Sequence, residues 1–167
     1  MDAKIVAEHA QECSLKREAM KQAGLQGPWD GEPDRLEWKH QGLDCLMVRN
    51  PALLHWCGYV GVPKGHPFYE KHYDRVDAEA HGGLTYSERC QGPVCHVADD
   101  GAAPVWWLGF DCAHSGDLVP AMKLSEMLFG PSLRASMEAI HAGDVYRDAT
   151  FVKAEVNSLA EQLAAVV

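Results

Sequence analysis

No apolar run in these 167 residues approaches the ~20 that a helix needs to cross a bilayer, so no transmembrane segment is expected. Basic residues are scarce. Only 15 Lys and Arg stand against 24 Asp and Glu, a formal net charge of -9. Binding to a nucleic-acid backbone needs clustered Lys and Arg, so direct nucleic-acid binding is not expected. An acidic surface of this kind suits solubility, or competition for a basic groove on a partner protein. No Gly-x-Ser-x-Gly segment occurs, which excludes a serine hydrolase built on a nucleophile elbow. Internal repeats and low-complexity stretches are also lacking. The first 24 residues are studded with charge and have no apolar core of the secretory kind, so a cytoplasmic, reducing compartment is expected. There the six cysteines would be thiols or metal ligands rather than a disulfide framework.

What is present is an ordinary globular composition, 47% hydrophobic and 23% charged, at a length that one domain fills. Residues 2–23 read as a helix with Val6, Ala10 and Cys13 on a thin apolar face and Gly24 as its stop. A face so thin implies loose docking, hence an N-terminal helical arm over 1–25 ahead of one domain over 26–167. A Pro/Gly turn segment, Gly27 to Asp34, follows. Strand-like runs are expected at 43–48, 55–62, 83–86 and 105–110. Pro131 opens a helix carrying Leu133, Met137 and Ile140 and closed by Gly143. Asp148 caps a last helix whose Val152, Val156, Leu159, Leu163 and Val166 form one stripe. Strand–helix alternation of doubly wound length is missing. The expected fold is α+β: a single domain, with a small antiparallel or mixed sheet and N-terminal and C-terminal helices.

The chemistry concentrates between His55 and His114, where six of nine histidines and four of six cysteines fall, beside glycines that allow close backbone approach. Asp111-Cys112-Ala113-His114 stands where the apolar run Val105 to Leu108 gives out. Asp111 and His114 at a strand end can share a metal, or Asp111 can orient the imidazole. Asp117, three residues on, offers a further oxygen ligand or a helix cap. His81-Gly82-Gly83 places an imidazole before bare backbone amides, which suit an anion. His66, held between glycine and proline, completes a candidate metal set of His66, His81, Asp111 and His114, with zinc or manganese as the ion. Cys90 and Cys95 form a loose zinc-knuckle pair beside His96, with Cys112 as a further thiolate for a structural zinc. Buried inert thiols are the plainer reading of these cysteines. A Cys–His nucleophile using Cys112 or Cys57 is a third reading. Trp106 and Trp107 must point to opposite faces of a strand, so Trp106, with Tyr86, is a candidate ligand-facing wall.

Several of these runs together resemble a family of small uncharacterised proteins of bacteria and of their phages and prophages. The matching pieces are Pro28 to Asp34, His55 to Pro63, Gly65-His66-Pro67, His81 to Tyr86, Cys90 to His96, Trp106 to His114 and the tail from Tyr146 to Leu163. The resemblance covers roughly residues 26–163 and carries no activity with it. It implies a phage setting, with the host cytoplasm as location, in which small acidic proteins act by binding and blocking host machinery.

Two kinds of function fit these residues. One is a metal-dependent hydrolase acting on a small phosphorylated or nucleotide-like substrate. Its catalytic residues would be His81, Asp111 and His114, and its ligand-binding residues Gly82, Gly83, Tyr86 and Trp106. The other is a non-catalytic acidic protein that binds and inhibits a host protein, or a module that sequesters a small ligand in the same pocket.

Overall fold

Alternation of bulky apolar residues along three central strands decides the architecture. The computed structural model describes residues 3–95 and 104–166; His96 and the loop expected from sequence at Asp99-Asp100-Gly101 lie outside them. Strands β1 (Arg35–His40), β2 (Leu43–Arg49), β3 (Trp56–Pro63), β4 (Tyr86–Glu88) and β5 (Val105–Asp111) form one sheet in the order β1-β2-β3-β5-β4. Every pairing is antiparallel. The sheet, an N-terminal helix and a C-terminal helix make a small α+β domain.

Period-two alternation sends Cys45, Met47, Trp56, Val60, Leu108, Phe110 and Cys112 to one face of the sheet. Helix α4 (Ala149–Ala164) covers that face with Val152, Val156, Leu159, Ala160 and Leu163, all buried. Each Val or Leu so buried contributes on the order of 1.5–3 kcal/mol. Asp148 caps the helix by accepting a 2.8 Å hydrogen bond from the Phe151 amide. Gly58 makes the close approach possible. A Cβ there would meet Phe110 and Val156 at 2.6 Å.

The other face carries Leu46, Val48, Cys57, Tyr59, Val105 and Trp107. Its described cover is the segment after β4. Val94 is buried there, and Arg35 on the opposite edge strand donates to the carbonyls of Pro93 and Cys95. Cys90 and Cys95 are joined in a disulfide, which corrects the expectation that they are free thiols or zinc ligands. Cys112 lies in the core under α4, so the three cysteines share no site. Trp107 is buried on this second face and Trp106 packs against the first, as adjacent strand residues must.

Helix α1 (Ala3–Gln22) is seated more firmly than its thin apolar face implies. His9, Cys13 and Met20 are buried, and Cys13 and Met20 join Trp29, Leu54 and Ala121 in a third cluster. A polar network locks this end of the molecule. Arg49, fully buried and 4.3 Å over the Trp56 ring, pairs with Glu32. Glu32 also accepts from Tyr146 (2.6 Å), Trp56 (3.1 Å) and the Ala149 amide (2.9 Å). Both carboxylate oxygens accept hydrogen bonds from the fold itself, so this carboxylate serves the fold.

Strand β1 escapes sequence reading because Arg35-Leu36-Glu37-Trp38-Lys39-His40 is an edge strand with charged residues at alternate positions. A two-residue turn at Gln41-Gly42, both with positive φ, sets its register against β2. The expected strand at 83–86 begins instead at Tyr86, since Gly82 and Gly83 adopt left-handed φ and turn the chain. Two further helices, α2 (Met122–Glu126) and α3 (Pro131–Ile140), lie between β5 and α4. Neither contains a buried residue, so the Leu133–Met137–Ile140 stripe is not a core stripe. No described helix is long and apolar enough to cross a membrane.

Candidate metal centre

The end of β5 and the loop before β4 bring three ligating side chains together. After Asp111 the chain turns, and Asp117 returns to the sheet end almost fully buried, its carboxylate 1% exposed. The Asp117 amide donates to the His114 carbonyl at 2.9 Å, and the His114 amide donates back to Asp117 Oδ2 at 3.1 Å. This closed turn fixes His114 and Asp117 on one side. His81 Nε2 reaches the same carboxylate, 2.8 Å from Oδ2 and 3.0 Å from Oδ1. One ligand atom from each of His81, His114 and Asp117 lies within 4.8 Å of the others, an arrangement able to coordinate a divalent ion.

His114 gives the site its clearest signal. Its Nδ1 is buried and has no hydrogen-bond partner. The atom lies 3.7 Å from Asp117 Oδ2 and 3.9 Å from Asp111 Oδ1. Those separations are too long for hydrogen bonds. Two ligands of a tetrahedral zinc, at bonds of about 2.0–2.1 Å, stand about 3.3 Å apart, between the 2.8 Å of His81–Asp117 and the 3.7 Å of His114–Asp117.

The surroundings hold the ligands in place. Arg147, just ahead of α4, donates to Asp117 Oδ1 at 2.8 Å and lies over the Phe151 ring. The Phe151 ring meets His81 at right angles, with centroids 5.3 Å apart. Burial pushes the Asp117 carboxyl up, but hydrogen bonds from Arg147, His81 and the His114 amide outweigh it and hold the group below its ordinary range. His55, just before β3, is 6% exposed with Nδ1 unpartnered. Burial lowers its pKa, against the pull of Asp111 and Asp117.

The expected site residues divide accordingly. His81 and His114 are brought together. Asp111 flanks them, but its carboxylate is engaged by Thr85 Oγ1 (3.0 Å) and the Ala113 amide (3.1 Å), and Asp117 takes the ligand position beside the histidines. His66 is elsewhere, which corrects the three-histidine set. Its Nε2 donates to the Leu163 carbonyl at 2.9 Å and its Nδ1 accepts from the Phe68 amide at 3.1 Å. Both nitrogens are engaged at the far end of α4, so His66 is a helix-end cap.

Gly82 does not leave room for a ligand. The His114 ring fills that space, and a Cβ on Gly82 would sit 2.2 Å from it. The Gly83 amide is already donated to the Ala80 carbonyl at 2.9 Å. Tyr86 packs edge-on against Tyr59. Trp106 donates to the Lys71 carbonyl, five residues along β5 from Asp111 and so roughly 17 Å away. These two aromatics do not face the centre. The thiol nucleophile is also corrected. Cys57 and Cys112 are buried, and burial pushes Cys57 up to about 12 and Cys112 higher still, which disfavours the thiolate a nucleophile needs.

His55 and His141 do not stand out in the sequence as site residues, and Asp117 has only a secondary place there. The signal available for Asp117 was its i+3 spacing from His114 across a Ser115-Gly116 turn. An open cleft of about 260 Å³ adjoins the centre, lined by His114 and Asp117 together with Met122, Ile140, His141 and Asp144. No protein-family model, curated protein or solved structure matches this chain.

Proposed function

We propose that the chain is a metal-dependent hydrolase whose ion is held by His81, His114 and Asp117. The observation that carries this reading is the buried, unpartnered His114 Nδ1 standing at ligand spacing from the buried Asp117 carboxylate. Two imidazoles and one carboxylate suit zinc first and manganese second. An ion bound there supplies Lewis acidity to a water or a substrate oxygen. The protein's own part is orientation: Arg147 and the His114 amide fix the carboxylate, and Phe151 walls His81. The cleft, at about 260 Å³, lies just under the usual range of ligand pockets, which favours a small substrate. A phosphorylated or nucleotide-like molecule of that size fits the proposal, its anionic group meeting the ion. The test is zinc titration calorimetry on chelator-treated protein, followed by hydrolysis of 4-nitrophenyl phosphates. One equivalent of zinc and metal-dependent release of nitrophenol support the reading. Absence of zinc binding refutes it.

A second reading, a non-catalytic module that binds a host protein, is favoured by one feature. Leu128, Leu133 and Ile140 on the α2–α3 segment are 87%, 51% and 70% exposed. Substituting Leu128 and Ile140 with serine would then abolish capture of a host protein and leave zinc binding intact.

A further inference from the structure

The cleft beside the metal ligands is also lined by a second, separately built histidine–carboxylate pair. His141 closes α3, its amide donating to the Met137 carbonyl at 2.9 Å. Its Nδ1 lies 2.6 Å from Asp144 Oδ2, and the Asp144 carboxylate is only 13% exposed. A carboxylate accepts, so Nδ1 carries the hydrogen and Nε2 is left with its lone pair free in the neutral ring. Among the described residues no protein group is bonded to Nε2.

The pair is clamped to the centre by backbone. Val145 donates to the Gly116 carbonyl at 2.9 Å, and Leu118 donates to the Val145 carbonyl at 3.0 Å. Asp117 and Val145 thus form a parallel bridge, so the turn holding His141 and Asp144 is registered against the turn holding His114 and Asp117. Both turns wall the same cleft. A histidine fixed by a carboxylate and lining the same cleft as candidate metal ligands has the form of a proton acceptor with its orienting partner.

We infer that His141 is the general base of the site, with Asp144 as its positioning residue. This rests on the hydrolase reading above. His141 Nε2 takes a proton from the attacking water as the water oxygen bonds to the substrate's phosphorus. The P–O bond to the leaving group breaks on the far side of phosphorus, the leaving oxygen takes a proton from solvent water, and the imidazolium returns its proton to solvent, restoring the neutral ring. Atoms and charge balance without any further reactant.

The test loads wild type, His114→Ala and His141→Gln with cobalt(II). Metal per chain, visible absorption, relaxation of the His141 ring protons and hydrolysis of bis(4-nitrophenyl) phosphate are then measured. Wild type should bind one ion, and His114→Ala should lose it. His141→Gln should keep the ion and its spectrum while turnover falls by about 10²–10⁴-fold. In wild type the bound cobalt should strongly relax the His141 ring protons. A changed spectrum in His141→Gln makes His141 a ligand and overturns the inference. So does unchanged turnover, or a His141 ring that cobalt does not relax. No cobalt in wild type removes the hydrolase reading and this inference with it. Cobalt bound normally with an indifferent His141 removes this inference alone.

Discussion

Gly82 and His114 show how one residue can hold another in place. Gly82 has φ +67°, which side-chain-bearing residues rarely adopt, and its bare Cα faces the His114 ring. An alanine there would be strained and would push the ring from the Asp117 carboxylate. Gly82→Ala is therefore expected to lose about 10–100-fold in zinc affinity, as when a group orienting a ligand is lost. Its stability should fall by about 1–3 kcal/mol. Calorimetric zinc titration and urea unfolding check the two parts. Little of this centre is legible in sequence. His81 and His114 stand out by type and by neighbouring glycines, but 32 positions separate them and only the β4–β5 pairing brings them together. Asp111 is the more conspicuous carboxylate because it ends an apolar run. The fold spends it on a turn and on Thr85, and returns Asp117 as the buried partner instead.

At the scale of elements, the contact of α4 with β3 tests the packing directly. Gly58→Ala would drive a methyl group into Phe110 and Val156, so a loss of about 1–3 kcal/mol is expected from overpacking. A shifted denaturation midpoint with unchanged slope would check it. The link from residues 28–34 to the start of α4 runs through Glu32. Burial pushes its carboxyl up, and hydrogen bonds from Tyr146, the Ala149 amide and Trp56, with Arg49, outweigh that and leave it below its ordinary range. A depressed carboxyl stabilises the fold fully above its unfolded value of about 4.3, and that stability is lost as pH falls through the lower folded value. Wild type should therefore lose stability below about pH 4, and Glu32→Gln should be less stable near neutrality with a flatter acid limb. Chemical unfolding at pH 3 to 7 measures both. Elements with a buried alternating or striped pattern, β2, β3, β5 and α4, were legible from sequence. Strand β1 was not, because an edge strand with charges at alternate positions hides its period. Helix α3 has a readable stripe that covers nothing in this molecule, since periodicity reports amphipathicity and not the partner.

Over the whole molecule, the sheet's two faces are closed by different means. One face has a helix with five buried residues. The other is closed, among the described residues, by a short segment stapled through Cys90–Cys95 and gripped by Arg35. The four remaining cysteines are buried. Folded protein should thus show no fast-reacting thiols, and denatured, unreduced protein should show four, which a thiol-reagent assay in native and denaturing buffer will count. Replacing Cys90 and Cys95 by serine should cost about 2 kcal/mol, the loop-closure value for a short ring. The central claim is that one carboxylate and two histidines, from two segments that the sheet unites, bind a divalent ion. Zinc content by elemental analysis, on wild type and on Asp117→Asn and His81→Ala variants shown to be folded, tests it most directly. About one zinc per chain in wild type and a large loss in both variants is the predicted result. A zinc-free wild type, or variants that retain the full equivalent, would contradict it.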